Sequence, residues 1–220
     1  MTDVANIAKP KLPDRILWVD LETTGLNPTH RFNQNGAEQW VQKDRLLEIA
    51  CIVTDGALVE LARFEAVTNE ALNTHFPNVD PFVLDMHVKN GLWAESLLSK
   101  KTLTAVELDA MQFIVDNFPR EEGQKTPRRI LLGGSTVSFD RTFLEVWMPR
   151  VAACLGHRHY DVSSVNSFVQ RAMPAVWEGR PRADTSGGDT GAKHRAMADI
   201  EASLMVARYY VNRLADGGVA

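Results

Sequence analysis

A mixed α/β fold, with helices flanking a five-stranded sheet, is predicted by three features of the 220-residue sequence. Apolar strand-forming runs crowd the first third of the chain. A two-residue Asp-Gly turn joins two of them, and helical and strand-like segments then alternate to the C-terminus. Ile16-Leu17-Trp18-Val19-Asp20 is the first strand, closed by Thr23-Thr24-Gly25. Asn27 to Arg45 is polar and aperiodic, contains Pro28 and Gly36, and reads as a loop or flap insertion longer than a structural connection needs. Leu46 to Thr54 is a second strand, and Asp55-Gly56 turns it into a third, Leu58 to Val67. Three antiparallel strands therefore come first.

The middle of the chain is helical. Thr104-Ala105-Val106-Glu107 has capping-box spacing, and Leu108, Met111, Val115 and Phe118 continue one apolar face. Pro119 to Pro127 is a charged connector, and Arg129 to Leu132 is a fourth strand ended by Gly133-Gly134. Phe139, Phe143, Trp147 and Val151 recur every four residues, which predicts one helix over 138–155 in spite of Pro149. Tyr160-Asp161-Val162 is a short fifth strand, followed by a helix over 164–172. A second loop insertion, 176–193, carries four glycines, and a last helix places Ala196, Ile200, Leu204, Ala207 and Val211 on one face. Residues 1–14 read as a flexible tail and 15–215 as a single domain.

Composition narrows the function. With 45% hydrophobic and 24% charged residues, the chain is neither disordered nor fibrous. Lys plus Arg is 24 against 28 Asp plus Glu, a net charge of −4, which argues against gripping long duplex nucleic acid by charge alone. Short nucleic-acid ligands in a local site remain open. Two cysteines, Cys51 and Cys154, make neither a disulfide framework nor a zinc cage, and Cys51 lies in an apolar run as a buried thiol. The chain shows no signal-peptide core and no run of about 18 apolar residues, so it is expected to be soluble and cytoplasmic.

The chemistry lies in three acidic motifs. In Trp18-Val19-Asp20-Leu21-Glu22, strand alternation projects Asp20 and Glu22 to one side. Two carboxylates forced together lose hydration and repel, and a hard cation such as Mg²⁺ or Mn²⁺ is the natural compensation. Phe139-Asp140-Arg141 puts an acid near a helix start, and His194-Arg195-Ala196-Met197-Ala198-Asp199 puts an acid on the last helix and a histidine at the loop–helix junction before it. Each motif alone has a plain structural reading: a solvated strand end, a helix cap, a surface histidine.

Taken together, in this order, the motifs resemble the DEDDh 3′–5′ exonucleases of the ribonuclease H-like superfamily, and within them the oligoribonucleases. The resembling segments are 18–26, 47–50, 53–55, 86–92, 139–144, 161–164 and 194–203. The resemblance implies a ribonuclease H-like fold and two-metal hydrolysis of phosphodiesters in short single-stranded RNA, with two Mg²⁺ or Mn²⁺ ions per active site. It implies Asp20, Glu22, Asp140 and Asp199 as metal ligands and His194 as the general base. It further implies Leu26 wedged between the last bases, Phe82 stacked on a base and His87 at the terminal nucleotide. Thr136, Ser163 and Arg158 match the residues that cap a 5′ phosphate, the arginine coming from the other subunit of a homodimer. Leu26 and Phe82 also read as core residues, and Arg158 as a solvated charge.

Three departures loosen the substrate assignment. His157 stands where oligoribonucleases tend to carry Tyr, Asn166 falls near an expected Lys, and the 27–45 insertion is long. Single-stranded DNA, in a proofreading or repair role, and longer RNA 3′ ends, as in ribonuclease T, are therefore the rival substrates. A catalytically silent nucleic-acid-binding domain and a small-molecule phosphodiesterase are the rivals from other classes.

Overall fold

The computed structural model describes residues 15–34, 37–74, 79–118, 129–182 and 194–215, and over 30–41 it describes the backbone alone. The first strands are β1 (Arg15–Thr23), β2 (Thr29–Gln34), β3 (Ala37–Gln42), β4 (Leu46–Asp55) and β5 (Glu60–Val67). Helices α1 (Pro81–Lys89), α2 (Leu92–Leu98) and α3 (Leu103–Asn117) follow. Then come β6 (Ile130–Gly134), α4 (Val137–Trp147), α5 (Pro149–Cys154) and β7 (Leu155–Asp161). The described chain closes with α6 (Val162–Ala172), α7 (Pro174–Glu178) and α8 (Ala196–Ala215).

The main sheet has the order β5-β4-β1-β6-β7. Its first three strands are antiparallel, and β6 and β7 add in parallel beside β1. This is the expected mixed five-stranded sheet. Strand alternation then sorts the side chains of β1 and β4. Leu17, Val19, Leu21, Ile49, Cys51 and Val53 pack with α3, α4 and α5. Ile16, Trp18, Ala50 and Ile52 pack with Ala196, Ile200, Leu204 and Ala207 of α8. Burying each of the Val, Leu and Ile side chains among them stabilises the fold by about 1.5–3 kcal/mol. On the α8 side, β6 approaches closely because Gly133 lacks a side chain: a Cβ there would lie 2.8 Å from the Trp18 ring. Trp18 is held in turn by its indole N–H donating to Thr54 Oγ1 at 3.0 Å.

Several local expectations are corrected. The stretch 27–45, read as an irregular flap, contains the antiparallel hairpin β2–β3. Its backbone pairing satisfies polar groups whatever the side-chain pattern, which is why periodicity missed it. The helix expected over 138–155 breaks at Met148, since Pro149 cannot donate to the preceding turn and instead opens α5. The chain after Cys154 is already strand, so β7 is longer than predicted. Helix α3 is capped by Thr102, whose hydroxyl accepts from Ala105 N, not by Thr104. Its buried face is Val106, Ala110, Ile114 and Phe118, while Leu108 and Val115 are exposed. On α8, Tyr210 rather than Val211 closes the buried stripe. Helices α1 and α2 are additional to the sequence reading, and α7 starts before the expected loop 176–193 and runs into it as far as Glu178; of that loop 183–193 lies outside the described residues. The tail 1–14 and the connector 119–127 also lie outside them. Among the described residues no helix is long and apolar enough to cross a membrane.

Candidate active site

The side chains of Asp20 and Glu22 continue the even-numbered face of β1, the face that α8 covers. On that helix Asp199 immediately precedes the buried Ile200. The strand–helix contact that buries Trp18 and Ile200 therefore also brings Asp199 to the two strand acids. One carboxylate oxygen from each of Asp20, Glu22 and Asp199 falls within 4.8 Å of the others. Among the described residues no N–H or O–H donor hydrogen-bonds to these three carboxylates. Asp140 stands beside the trio rather than within it. It is buried at the start of α4, and its Oδ1 accepts from Leu21 N at 3.0 Å, tying α4 to the loaded end of β1.

The electrostatics record this crowding. Burial, then the charges of Asp140, Asp199 and Glu22, hold the Asp20 carboxyl well above its ordinary range. Burial, then Asp199 and Glu48, pushes Glu22 up to about 9, with Arg195 opposing. Burial raises Asp140 to about 7 against the pull of backbone N–H groups, and burial also raises Asp199, with His194 opposing. Carboxyl groups displaced in this direction lack positive charge. The oxygen-only donor set of Asp20, Glu22 and Asp199, with Asp140 adjoining, fits a hard divalent cation.

His194 is exposed at the junction before α8 with a left-handed φ of 60°, close enough to Asp199 to stabilise its charge. Leu26 and Phe82 are 73% and 75% exposed, so neither is a core residue. Thr136, also left-handed at φ 56°, sets its hydroxyl 3.1 Å from that of Ser163. Asp161 holds both segments, accepting from Thr136 N, Ser163 N and Ser164 N. Arg158 is exposed on β7, the edge of the sheet, where it lines a cavity of about 530 Å³ with Arg129, His157 and His159. That cavity includes none of the acidic residues, so Arg158 is not grouped with them in one chain. His87, expected at the terminal nucleotide, is fully buried. Its Nε2–H donates to Thr23 O at 2.9 Å, and burial lowers its pKa. It thereby braces the end of β1, a role that its place on the helical segment 81–89 did not signal.

Two features escaped sequence reasoning. A second cavity of about 360 Å³ opens from Asp20 and Asp199 and is lined by Ser135, Asn166 and Ser203. Glu48, only 2% exposed and paired with Glu22 across β1 and β4, receives Arg195 and the backbone of Ala196. Its signal was available: a lone acid inside an apolar strand is costly to bury without a partner.

Residues 17–207 match the RNase_T family model, described as an exonuclease. The oligoribonuclease of Nocardia farcinica is 30% identical over 195 residues, covering 89% of this chain and 78% of that protein. That of Leifsonia xyli is 31% identical over 197 residues, covering 90% and 82%. The mitochondrial oligoribonuclease of Bos taurus is 28% identical over 210 residues, covering 96% and 77%. Among solved structures, the E. coli ExoI–ssDNA complex in its metal-free form aligns with a TM-score of 0.62 at 15% identity, over 93% of this chain and 41% of that one. Exonuclease I of Methylocaldum szegediense aligns with a TM-score of 0.59 at 18% identity, over 90% and 40%. The chain spans about two-fifths of these structures, and the likeness is one of fold.

Proposed function

The chain belongs to the RNase_T exonuclease family, and from that premise we propose a 3′–5′ exoribonuclease that trims short single-stranded RNA to nucleoside 5′-monophosphates. The observation that carries this reading is the convergence of Asp20, Glu22 and Asp199 within 4.8 Å at the end of β1. Asp20, Glu22, Asp140 and Asp199 would hold two Mg²⁺ or Mn²⁺ ions. Bound there, a divalent cation supplies positive charge to the scissile phosphate and lowers the pKa of water.

The protein's own groups do the rest. His194, exposed beside Asp199, accepts the proton of the water that attacks phosphorus. The bond between phosphorus and the 3′ oxygen of the preceding nucleotide breaks, so the terminal nucleotide leaves with its 5′ phosphate. Leu26 offers an exposed aliphatic wedge for the bases and Phe82 an exposed ring on which a base stacks, a contact worth about 1–3 kcal/mol. The paired hydroxyls of Thr136 and Ser163 suit the 5′ phosphate of a short substrate. Arg158, on the open edge of β7, would complete that cap from a second copy of the chain, which makes the active form a homodimer. The thiols of Cys51 and Cys154, neither in a disulfide, suit a reducing cytoplasm.

A second reading, action on longer single-stranded DNA or RNA, is favoured by the hairpin β2–β3. It is rooted beside the loaded end of β1, through Thr24 N to Arg45 O and Asn27 N to Asp44 Oδ2. Turnover of 5′-labelled two-nucleotide and 20-nucleotide RNA and DNA separates the readings. A strong preference for the RNA dinucleotide supports the first, and indifference to length or sugar the second. No cleavage of any substrate with Mg²⁺ or Mn²⁺ present would refute both.

A further inference from the structure

The start of α8 is organised around Arg195, a residue to which the exonuclease reading gives no task. Its neighbour His194 holds a left-handed backbone, disfavoured for any residue with a side chain. The His194 carbonyl accepts from Asn90 Nδ2 at 2.6 Å, which fixes the peptide on one side. On the other side the Arg195 guanidinium donates from Nε and Nη2 to Glu48 at 3.0 and 2.8 Å. It also donates from Nη1 and Nη2 to Glu95 of α2 at 3.1 and 2.8 Å. Glu48 takes in addition the N–H of Ala196 at 3.1 Å, one of the donors that a helix start leaves open. Strand β4, helix α2 and the first turn of α8 thus close on a single side chain.

A guanidinium shared by two carboxylates in fork geometry fixes direction as well as distance, which a point charge does not. Glu48 is buried and fixed in the sheet, so the reference for this direction is the same β1–β4 pair that carries Glu22. We propose that Arg195 is a positioning residue that acts through His194, holding the strained turn so that the imidazole faces the acidic cluster. This rests on the exonuclease reading of that cluster. Without the fork, the turn relaxes toward ordinary backbone angles and the imidazole moves off line. Displacement of a reacting group by about 1 Å can cost on the order of 100-fold in rate.

The test is a kinetic double-mutant cycle on the full chain with Mn²⁺ and a short oligoribonucleotide. Arg195→Gln should lower kcat by roughly 100-fold while leaving KM within about twofold. Arg195→Lys, which keeps the charge but not the fork, should stay nearly as slow, and it serves in place of Arg195→Gln should that variant fail to fold. In a His194→Ala background the same substitution should cost less than about threefold, because the group it positions is gone. An equal loss in both backgrounds, or full recovery with Lys, would overturn the proposal.

A second readout needs no turnover. The imidazole resonance assigned to His194 by its disappearance in His194→Ala should shift and broaden in Arg195→Gln. An unchanged resonance would overturn the positioning role. Failure of the wild-type chain to cleave any oligonucleotide would instead refute the exonuclease reading and leave this measurement intact.

Discussion

Glu48 and Glu22 face each other across β1 and β4, both buried, and their surroundings are opposite. Glu48 receives an arginine fork and a helix N–H, so its charge is met within the protein. Glu22 meets mainly other acids and is pushed up to about 9 by burial and by Asp199 and Glu48. The two positions share strand geometry and differ in what α8 delivers, an arginine to one and an aspartate to the other. A fold that can neutralise a buried carboxylate this well, and leaves its neighbour only weakly compensated, keeps that neighbour for a ligand of positive charge.

The contrast is broken most directly by removing one acid from each side. Asp20→Ala should reduce turnover by roughly a thousandfold or more, since charge stabilisation of several kcal/mol is lost. Yet its melting temperature without metal should equal or exceed that of the wild type, because an uncompensated buried charge has gone. Glu48→Ala should do the reverse to stability. It strands the Ala196 N–H and leaves Arg195 with Glu95 alone, at a cost of roughly 3 kcal/mol measured by denaturant unfolding. If both variants are destabilised alike, the distinction between met and unmet carboxylates is wrong.

The pH dependence sharpens the same point. Glu22 titrates near 4.5 when unfolded and near 9 in the fold. Between those values the folded chain binds more protons than the unfolded one, so this group's contribution to stability falls as pH rises and is fully lost above about 9. A cation on the cluster cancels the effect. The increase in melting temperature on adding Mn²⁺ should therefore be small near pH 5 and grow toward pH 9. A metal response that shrinks with pH would contradict this. The smallest effect is expected at Asp161, a carboxylate that is met by three backbone donors as a helix cap. Asp161→Ala should cost about 1 kcal/mol of stability with no change in metal binding, read by unfolding and by Mn²⁺ titration.

Much of this was legible in the sequence because it follows from local periods. Alternation on β1 put Asp20 and Glu22 on one side, and the four-residue spacing of Ala196, Ile200 and Leu204 put Asp199 at the edge of a buried stripe. What periodicity cannot supply is partnership between distant segments. The hydrogen bond of His87 Nε2 to Thr23 O, 64 residues away, is one such partnership. Glu48 and Arg195, 147 residues apart, form a pair visible only once α8 lies on β4. The hairpin β2–β3 escapes periodicity because its polar sequence carries no regular apolar stripe, and the Asn35-Gly36 pair between its strands was the signal that could have found it. Helix α3 was misaligned because Leu108 and Val115 are apolar yet exposed, and the sequence alone does not say which apolar stripe faces the sheet.

Whether the unmet carboxylates seat divalent cations is decided by titrating Mn²⁺ into the metal-free chain and following it by electron paramagnetic resonance. Binding to the wild-type protein should be saturable, weakened strongly by Asp20→Ala or Glu22→Gln and unchanged by Asp161→Ala. A folded wild-type chain that binds no Mn²⁺ at millimolar concentration near pH 8, or one that binds it equally well without Asp20, would contradict it.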